Sequence, residues 1–227
     1  MLVEPEEDRD RLTLDRAVAT AVQARLNAGP RLSPDADAIA LREVLAGLSP
    51  AQSTAVRAVL GRIDAASAPP LTVWGALAPL LAADRHGLTA RPGAEPEEAL
   101  KAVRTGGRAL LDLTPSRPWW GRLLAEPSLR VTAALPDDAA AVPRALLVQQ
   151  AQPGPTGDDR TFWATDSRLP DARIVEALSA EGLAATPLIA GGGLKLFILA
   201  GYVQAEDGRL ANAPGDLSGV IGAAPIY

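Results

Sequence analysis

The sequence predicts a mixed fold, α+β or α/β, in which a helical N-terminal segment precedes a longer α/β region. Up to residue 68, apolar residues recur with the spacing of helices. From Leu71 onward, short apolar runs alternate with helical stretches, which is typical of a sheet layered with helices. Pro69 and Pro70 stand between the two patterns, and we interpret them as a hinge.

Residues 1–68 are predicted to form three helices. The run LDRAVATAVQARL has helical spacing and is closed by Gly29. The pair Ser33-Pro34 then supplies an N-cap and a first helical residue, and this second helix ends at Gly47. The pair Ser49-Pro50 opens the third helix in the same way. One face of the third helix carries Val56, Val59, Leu60 and Ile63.

The central section, residues 71–152, contains four strand candidates: LTVWGAL, RALLDL, LRVTAAL and RALLVQQ. Between the first and second, EPEEALKAVRTGG predicts an amphipathic helix with acids in its first turn and glycines at its end. Pro118 opens a shorter helix. We expect Trp119 and Trp120, which follow it, to pack in a core or an interface.

The last section, residues 157–227, is predicted to form a small βαββ unit. It follows the turn-rich linker PGPTGDD and begins with the strand candidate RTFWATDS. A helix over LPDARIVEALSAEGL comes next, and then the two strands LAATPLIA and LKLFILAGYV, joined by a predicted hairpin turn at residues 191–193. The final run GVIGAAPIY is a candidate for one more strand.

The composition excludes several kinds of chemistry. The chain has no cysteine, so thiolate metal sites, thiol nucleophiles and disulfides are excluded. Its single histidine, His86, rules out sites with two histidine ligands, and Gly87 after it predicts a loop position. The net charge of −5 argues against a broad nucleic-acid surface. An acidic N-terminus without a signal-peptide pattern, and no apolar run of about 18 residues, predict a cytoplasmic protein without a membrane partner.

The order of these sections resembles that of bifunctional bacterial chorismate mutase/prephenate dehydratase proteins. Three helices over residues 10–68, with Arg42 and Glu43 in ALREVLAGLSP, are similar to the all-helical mutase domain. EPEEALKAVRTGG followed by RALLDLTPSRPWW, and then PRALLVQQ, resemble a shortened dehydratase section at residues 71–152. DRTFWATD, ARIVEAL and GVIGAAPIY resemble the first strand, first helix and last strand of a regulatory ACT module.

Several family motifs are altered in this chain. Pro143, Arg144 and Ala145 stand where the family has Thr-Arg-Phe, so only the arginine is kept. The central section is too short for two dehydratase lobes. Residues 190–192, Ala-Gly-Gly, replace a Glu-Ser-Arg-Pro motif of the ACT module. The resemblance therefore implies neither dehydratase activity nor ordinary phenylalanine sensing.

Chorismate mutase chemistry is an intramolecular rearrangement that needs no metal, cofactor or nucleophile. It needs cations that hold two carboxylates and stabilise the charge on the ether oxygen. The resemblance implies Arg42, Glu43, Arg16 and Arg25 as catalytic residues, with Ser67 and Arg144 as substrate contacts. The implied ligand is a small dicarboxylate of the chorismate or prephenate type. The implied assembly is a homodimer, since three helices are too few to enclose a site alone.

Two alternatives stay open. Arginines such as Arg16, Arg25 and Arg42 also occur on the solvated faces of ordinary amphipathic helices. If these arginines only face solvent, the whole chain is a non-catalytic protein of the same descent, which senses a ligand or docks a partner. Arginines that point to different faces would favour this alternative, and arginines that converge on one cavity would favour the mutase.

Overall fold

The computed structural model describes residues 8–27 and 34–227, except for the side chains of residues 25, 26 and 34–37. The predicted boundary residues Gly29 and Ser33 lie outside the described residues. Seven helices occur in the described part: α1 Arg9–Asn27, α2 Pro34–Leu45, α3 Pro50–Ser67, α4 Ala78–His86, α5 Pro96–Arg104, α6 Arg122–Ala125 and α7 Asp171–Ala180. None of these described helices is long and apolar enough to cross a bilayer.

Nine strands accompany them: β1 Leu71–Trp74, β2 Arg91–Pro92, β3 Arg108–Asp112, β4 Arg130–Leu135, β5 Ala145–Gln149, β6 Asp159–Thr165, β7 Ala185–Gly191, β8 Leu194–Ala200 and β9 Ser218–Pro225. They form one sheet in the order β2-β1-β3-β5-β4-β9-β6-β8-β7. The mixed α/β architecture expected from the sequence is confirmed. The strand candidates all occur, whereas the short edge strand β2 was not predicted.

The strands are parallel at one end of the sheet and antiparallel at the other. Strands β1, β2 and β3 are parallel, as βαβ connections require. Strands β9, β6, β8 and β7 are antiparallel to one another, and α7 lies on the connection between β6 and β7. Between the two parts, β5 is antiparallel to β3 and to β4, and β4 pairs in parallel with β9 through Val131 and Gly222. The central and C-terminal sections therefore share one continuous sheet.

The third helix begins where its predicted N-cap lies. Ser49 is the N-cap of α3, and it exchanges hydrogen bonds with Gln52 in a capping box. The three helices enclose a small core of their own, formed by Ala21, Leu41, Val56 and Leu60. Tyr227, at the far end of the chain, packs against this core.

The predicted loop position of His86 is corrected by the structure. His86 is the last residue of α4, and the N–H of Gly87 still bonds to the carbonyl oxygen of Ala83 at 3.1 Å. The helix runs through APLLAADR to His86, and Gly87 marks its end rather than a loop. The tryptophans behave as predicted: Trp119 and Trp120 are buried in the main core, and the indole N–H of Trp119 donates to the carbonyl oxygen of Asp112 at 2.7 Å.

A buried ionic cluster attaches α3 to the sheet. Arg57 on α3 and Arg85 on α4 both bind the carboxylate of Asp137, which follows β4, at 2.8 and 3.0 Å. The three side chains are only 12–14% exposed. The helical segment is thus held against the α/β region by charges as well as by apolar contacts.

Candidate functional site

Arg42, the central residue of the predicted mutase site, contacts the protein's own backbone. Its Nη1 donates to the carbonyl oxygen of Thr156 at 2.5 Å, and its Nε donates to that of Ile226 at 3.3 Å. Its Nη2 lies 3.0 Å from each of three acceptors: Thr156 Oγ1 and the carbonyl oxygens of Asp158 and Ile226. All three guanidinium nitrogens are therefore engaged by the chain itself.

Among the described residues, the other predicted site residues make no hydrogen bond or ion pair with the side chain of Arg42. Arg16, Glu43, Ser67 and Arg144 are exposed, and the side chain of Arg25 lies outside the described residues. Ser67 bonds to the carbonyl oxygen of Asp64 in its own helix at 3.4 Å. In the described part of the chain, no hydrogen bond or ion pair joins any two of the predicted residues. Their catalytic and substrate-binding roles stay predictions.

Arg144 lies at the edge of the sheet where the parallel strands end. At that edge the α4 N-terminus, a natural anion position, is already occupied by the carboxylate of Asp112, which accepts from the N–H groups of Leu77 and Ala78 at 2.7 and 2.6 Å. The N–H of Leu113 bonds to the backbone oxygen of Arg144 at 2.8 Å. This edge therefore holds an internal carboxylate in the position that an anionic ligand would take.

A cavity of about 260 Å³ lies where the central and C-terminal sections meet. It is lined by β4 and β9, by the linker after β5 and by the loop after β8. The lining residues are Arg130, Gln152, Pro153, Tyr202, Val203, Gln204, Ala205, Glu206, Val220, Gly222 and Ala223. The cavity thus combines valine and alanine surface with two amides and two charged groups.

Arg130 and Glu206 give this cavity opposite charges. The Nη1 of Arg130 donates to the carbonyl oxygen of Val220 at 3.1 Å, which fixes its guanidinium against β9. Neither Arg130 nor Glu206 takes part in an ion pair within the part of the chain that the structure describes. A cation and an anion that line one cavity without neutralising each other can each receive a ligand group of opposite charge.

Hydrogen bonds from β6 and from the loop after β8 hold the lining of the cavity. The hydroxyl of Tyr202 donates to the carbonyl oxygen of Pro153 at 2.7 Å, which joins the β8 loop to the linker. Thr161 on β6 fixes the start of that loop, because its hydroxyl donates to the carbonyl oxygen of Gly201 at 2.8 Å and accepts from Val203 N–H at 2.9 Å. These bonds hold the linker and the loop after β8 in place at the cavity.

Gly222 allows β9 to approach β4 closely at the cavity. Its φ is +142°, and a Cβ placed there would lie 2.2 Å from the carbonyl oxygen of Val131. Only glycine satisfies both conditions. Sequence reasoning missed this site: Arg130 appeared as part of a strand candidate and Glu206 as part of an unassigned loop. No local signal links the two, because the successive pairing of β4 with β9, β9 with β6 and β6 with β8 brings them together.

Comparisons with known proteins give a limited result. No protein-family model matches the chain, and no curated protein matches it. Among solved structures, a protein described as GqqA, a novel type of quorum quenching acylases, is 19% identical with a TM-score of 0.46, covering 69% of this chain and 95% of its own.

Two further similar structures are prephenate dehydratases, both 14% identical to this chain. The enzyme from Streptococcus mutans has a TM-score of 0.41 and covers 70% of this chain and 98% of its own. The enzyme from Arthrobacter aurescens, in complex with L-Phe, has a TM-score of 0.42 and covers 69% and 89%. All three similarities are distant, and they carry no activity or ligand over to this chain. The mutase and ACT parts of the resemblance stay predictions.

Proposed function

We propose that this protein is a non-catalytic sensor that binds a small amphoteric molecule in the cavity between the central and C-terminal sections. The observation that carries the proposal is the presence of Arg130 and Glu206 on one cavity, each without an ion-pair partner among the described residues. A carboxylate binds Arg130 and an ammonium group binds Glu206. No nucleophile or general base is required for such a role.

The size and lining of the cavity narrow the ligand class. Pockets for drug-sized molecules occupy about 300–1,000 Å³, and this cavity of about 260 Å³ is smaller. Gln152 and Gln204 offer amide groups at the cavity, and the buried side chains of Val203, Val220 and Ala223 underlie it. An α-amino acid with a side chain of moderate size fits these features.

Calorimetric titration tests the proposal. L-Leucine, L-glutamine and L-phenylalanine are titrated into the intact protein, and L-phenylalanine is compared with 3-phenylpropanoate and phenethylamine, which each lack one of its charges. At least one amino acid is expected to bind, and both single-charge analogues are expected to bind more weakly than L-phenylalanine.

Charge-neutralising variants identify the contacts. Arg130→Gln and Glu206→Gln are each expected to weaken amino-acid binding by about tenfold or more, since a hydrogen bond to a charged group contributes about 1.5–3 kcal/mol. Arg122→Ala, at an exposed arginine of α6, is the control and should leave binding unchanged. If none of the three amino acids binds the intact protein, the proposal is wrong.

Chorismate mutase activity remains a hypothesis from the sequence resemblance, and the contacts of Arg42 give it less support. To clamp a carboxylate, Arg42 would have to give up its hydrogen bonds to Thr156, Asp158 and Ile226. Loss of chorismate absorbance, measured beside an Arg42→Ala variant, tests it. Saturable turnover abolished by the substitution would establish the mutase and contradict the non-catalytic role.

A further inference from the structure

We infer that Arg42 couples occupancy of the cavity to the docking of helix α2, so that the N-terminal helical segment is the element that responds to the ligand. This inference rests on the proposed function and assigns its regulation. It follows from the position of the two backbone segments that Arg42 holds together.

Arg42 joins the linker before β6 to the end of β9. Its acceptors on the linker are Thr156 and Asp158, and its acceptor on β9's end is Ile226. The two segments are also bonded to each other, because the N–H of Ile226 donates to the carbonyl oxygen of Asp158 at 3.0 Å. The guanidinium therefore sits on a joint between two segments that are far apart in sequence.

Both of these segments line the cavity. On the linker, Pro153 lines the cavity three positions before Thr156. On β9, Ala223 lines it three positions before Ile226. Only Gly154 and Pro155 separate Pro153 from Thr156, so a ligand contact at Pro153 lies close along the chain to Arg42's acceptor on the linker. A ligand that holds Pro153 and Ala223 in place therefore also favours the arrangement of Arg42's acceptors on the same two segments.

On the linker, the residues that hold Arg42's acceptors in place are buried. The carboxylate of Asp159, 3% exposed, accepts from Thr156 N–H at 2.8 Å and from the Thr156 hydroxyl at 2.7 Å. Thr156 therefore presents its carbonyl and hydroxyl oxygens to Arg42 from a fixed position. The planar, five-donor guanidinium matches several acceptors at once, which a lysine ammonium does not.

Helix α2 carries the signal to the helical segment. Leu41, beside Arg42, is buried in the helical core with Val56 of α3 and Ala21 of α1. Arg42 attaches α2 to these two segments by hydrogen bonds, so loosening of either segment weakens that attachment. By thermodynamic linkage, a ligand that favours the closed joint favours docked α2, and docked α2 favours the ligand to the same degree.

Two measurements on the full chain test the coupling, with L-leucine, L-glutamine and L-phenylalanine as probes. The dissociation constant is measured for the intact protein, Arg42→Ala, Arg42→Lys and the control Arg62→Ala, an exposed arginine of α3. Arg42→Ala is expected to weaken binding by about tenfold, within the usual range of coupling between sites. Arg42→Lys is expected to fall between it and the intact protein, and Arg62→Ala to match the intact protein.

Amide hydrogen exchange supplies the reciprocal readout. Saturating amino acid is expected to slow exchange of the α2 amides in the intact protein and to leave them unchanged in Arg42→Lys or Arg42→Ala. A purely structural Arg42 would alter stability and leave the dissociation constant of the folded variants unchanged, and that result overturns the inference. If Arg42→Ala does not fold, Arg42→Lys decides. Absence of binding by the intact protein removes the proposed function, and the inference falls with it.

Discussion

Replacing Asp137 by alanine is expected to destabilise the protein strongly. The two carboxylate oxygens of Asp137 are used separately, one by Arg57 at 2.8 Å and the other by Arg85 at 3.0 Å, and all three side chains are 12–14% exposed. Alanine leaves two buried guanidinium groups next to each other without an anion. Removing one partner of a buried ion pair costs about 3–5 kcal/mol. We therefore expect a loss of about 4 kcal/mol in the free energy of unfolding.

The assay is urea denaturation followed by far-UV circular dichroism. Glu126→Ala is the matched control, because Glu126 also binds an arginine, Arg104, at 2.7 Å but with side chains 30–33% exposed. Exposed pairs contribute at most about 1 kcal/mol. Asp137→Asn, which keeps the shape and one acceptor, should lie between the two and serves if the alanine variant does not fold. A loss for Asp137→Ala no larger than that of Glu126→Ala would refute the reasoning.

Three further changes test the helical segment and its contact with α4. Burial, with Arg85 and Arg108 acting in the same direction, lowers the pKa of His86 from 6.5 to about 4. The unfolded chain therefore takes up this proton first, and stability should fall by up to about 3 kcal/mol between pH 6.5 and 4. His86→Leu should make that fall shallower in denaturant titrations, and an equal fall in both proteins would contradict the assignment. Gly61→Ala should lower the Tm, because a Cβ at this position would lie 1.9 Å from the Arg85 carbonyl oxygen. The clash is expected to outweigh the helix propensity of alanine, which favours the substitution by about 1 kcal/mol. An unchanged Tm would show that α3 and α4 move apart to accept the methyl group. Ser49→Ala should cost about 1 kcal/mol in unfolding free energy through loss of the α3 cap, and no loss would mean that the capping box contributes nothing.

The sequence predicted the elements better than their arrangement, for reasons that particular residues make clear. Ser49 followed by Pro50, and the glycines after EPEEALKAVR, are local signals whose meaning depends on a few neighbours, and the corresponding helices begin and end close to them. His86 was misplaced by one such signal, because a glycine marks the residue after a helix as readily as it marks a loop.

The candidate site depends on contacts that no local pattern records. Arg130 and Glu206 share a cavity because β4 pairs with β9 and β9 is joined through β6 to β8, and Gly222 allows the close approach of β9 to β4. Arg42 was singled out from the sequence as a substrate-binding cation. Its partners Thr156 and Ile226 lie 114 and 184 positions away, and sequence spacing says nothing about them. The predicted homodimer stays a prediction, which light scattering tests.

The central claim, that the cavity is the ligand site, is tested most directly by an amide-resolved NMR titration of the intact protein with L-phenylalanine, L-leucine and L-glutamine. The account predicts shifts that saturate and that concentrate at residues 202–206 and 220–223, with smaller shifts near Arg42 and none at Arg144. Shifts that cluster at Arg144 and the α4 N-terminus, or no shifts with any of the three amino acids, would contradict it.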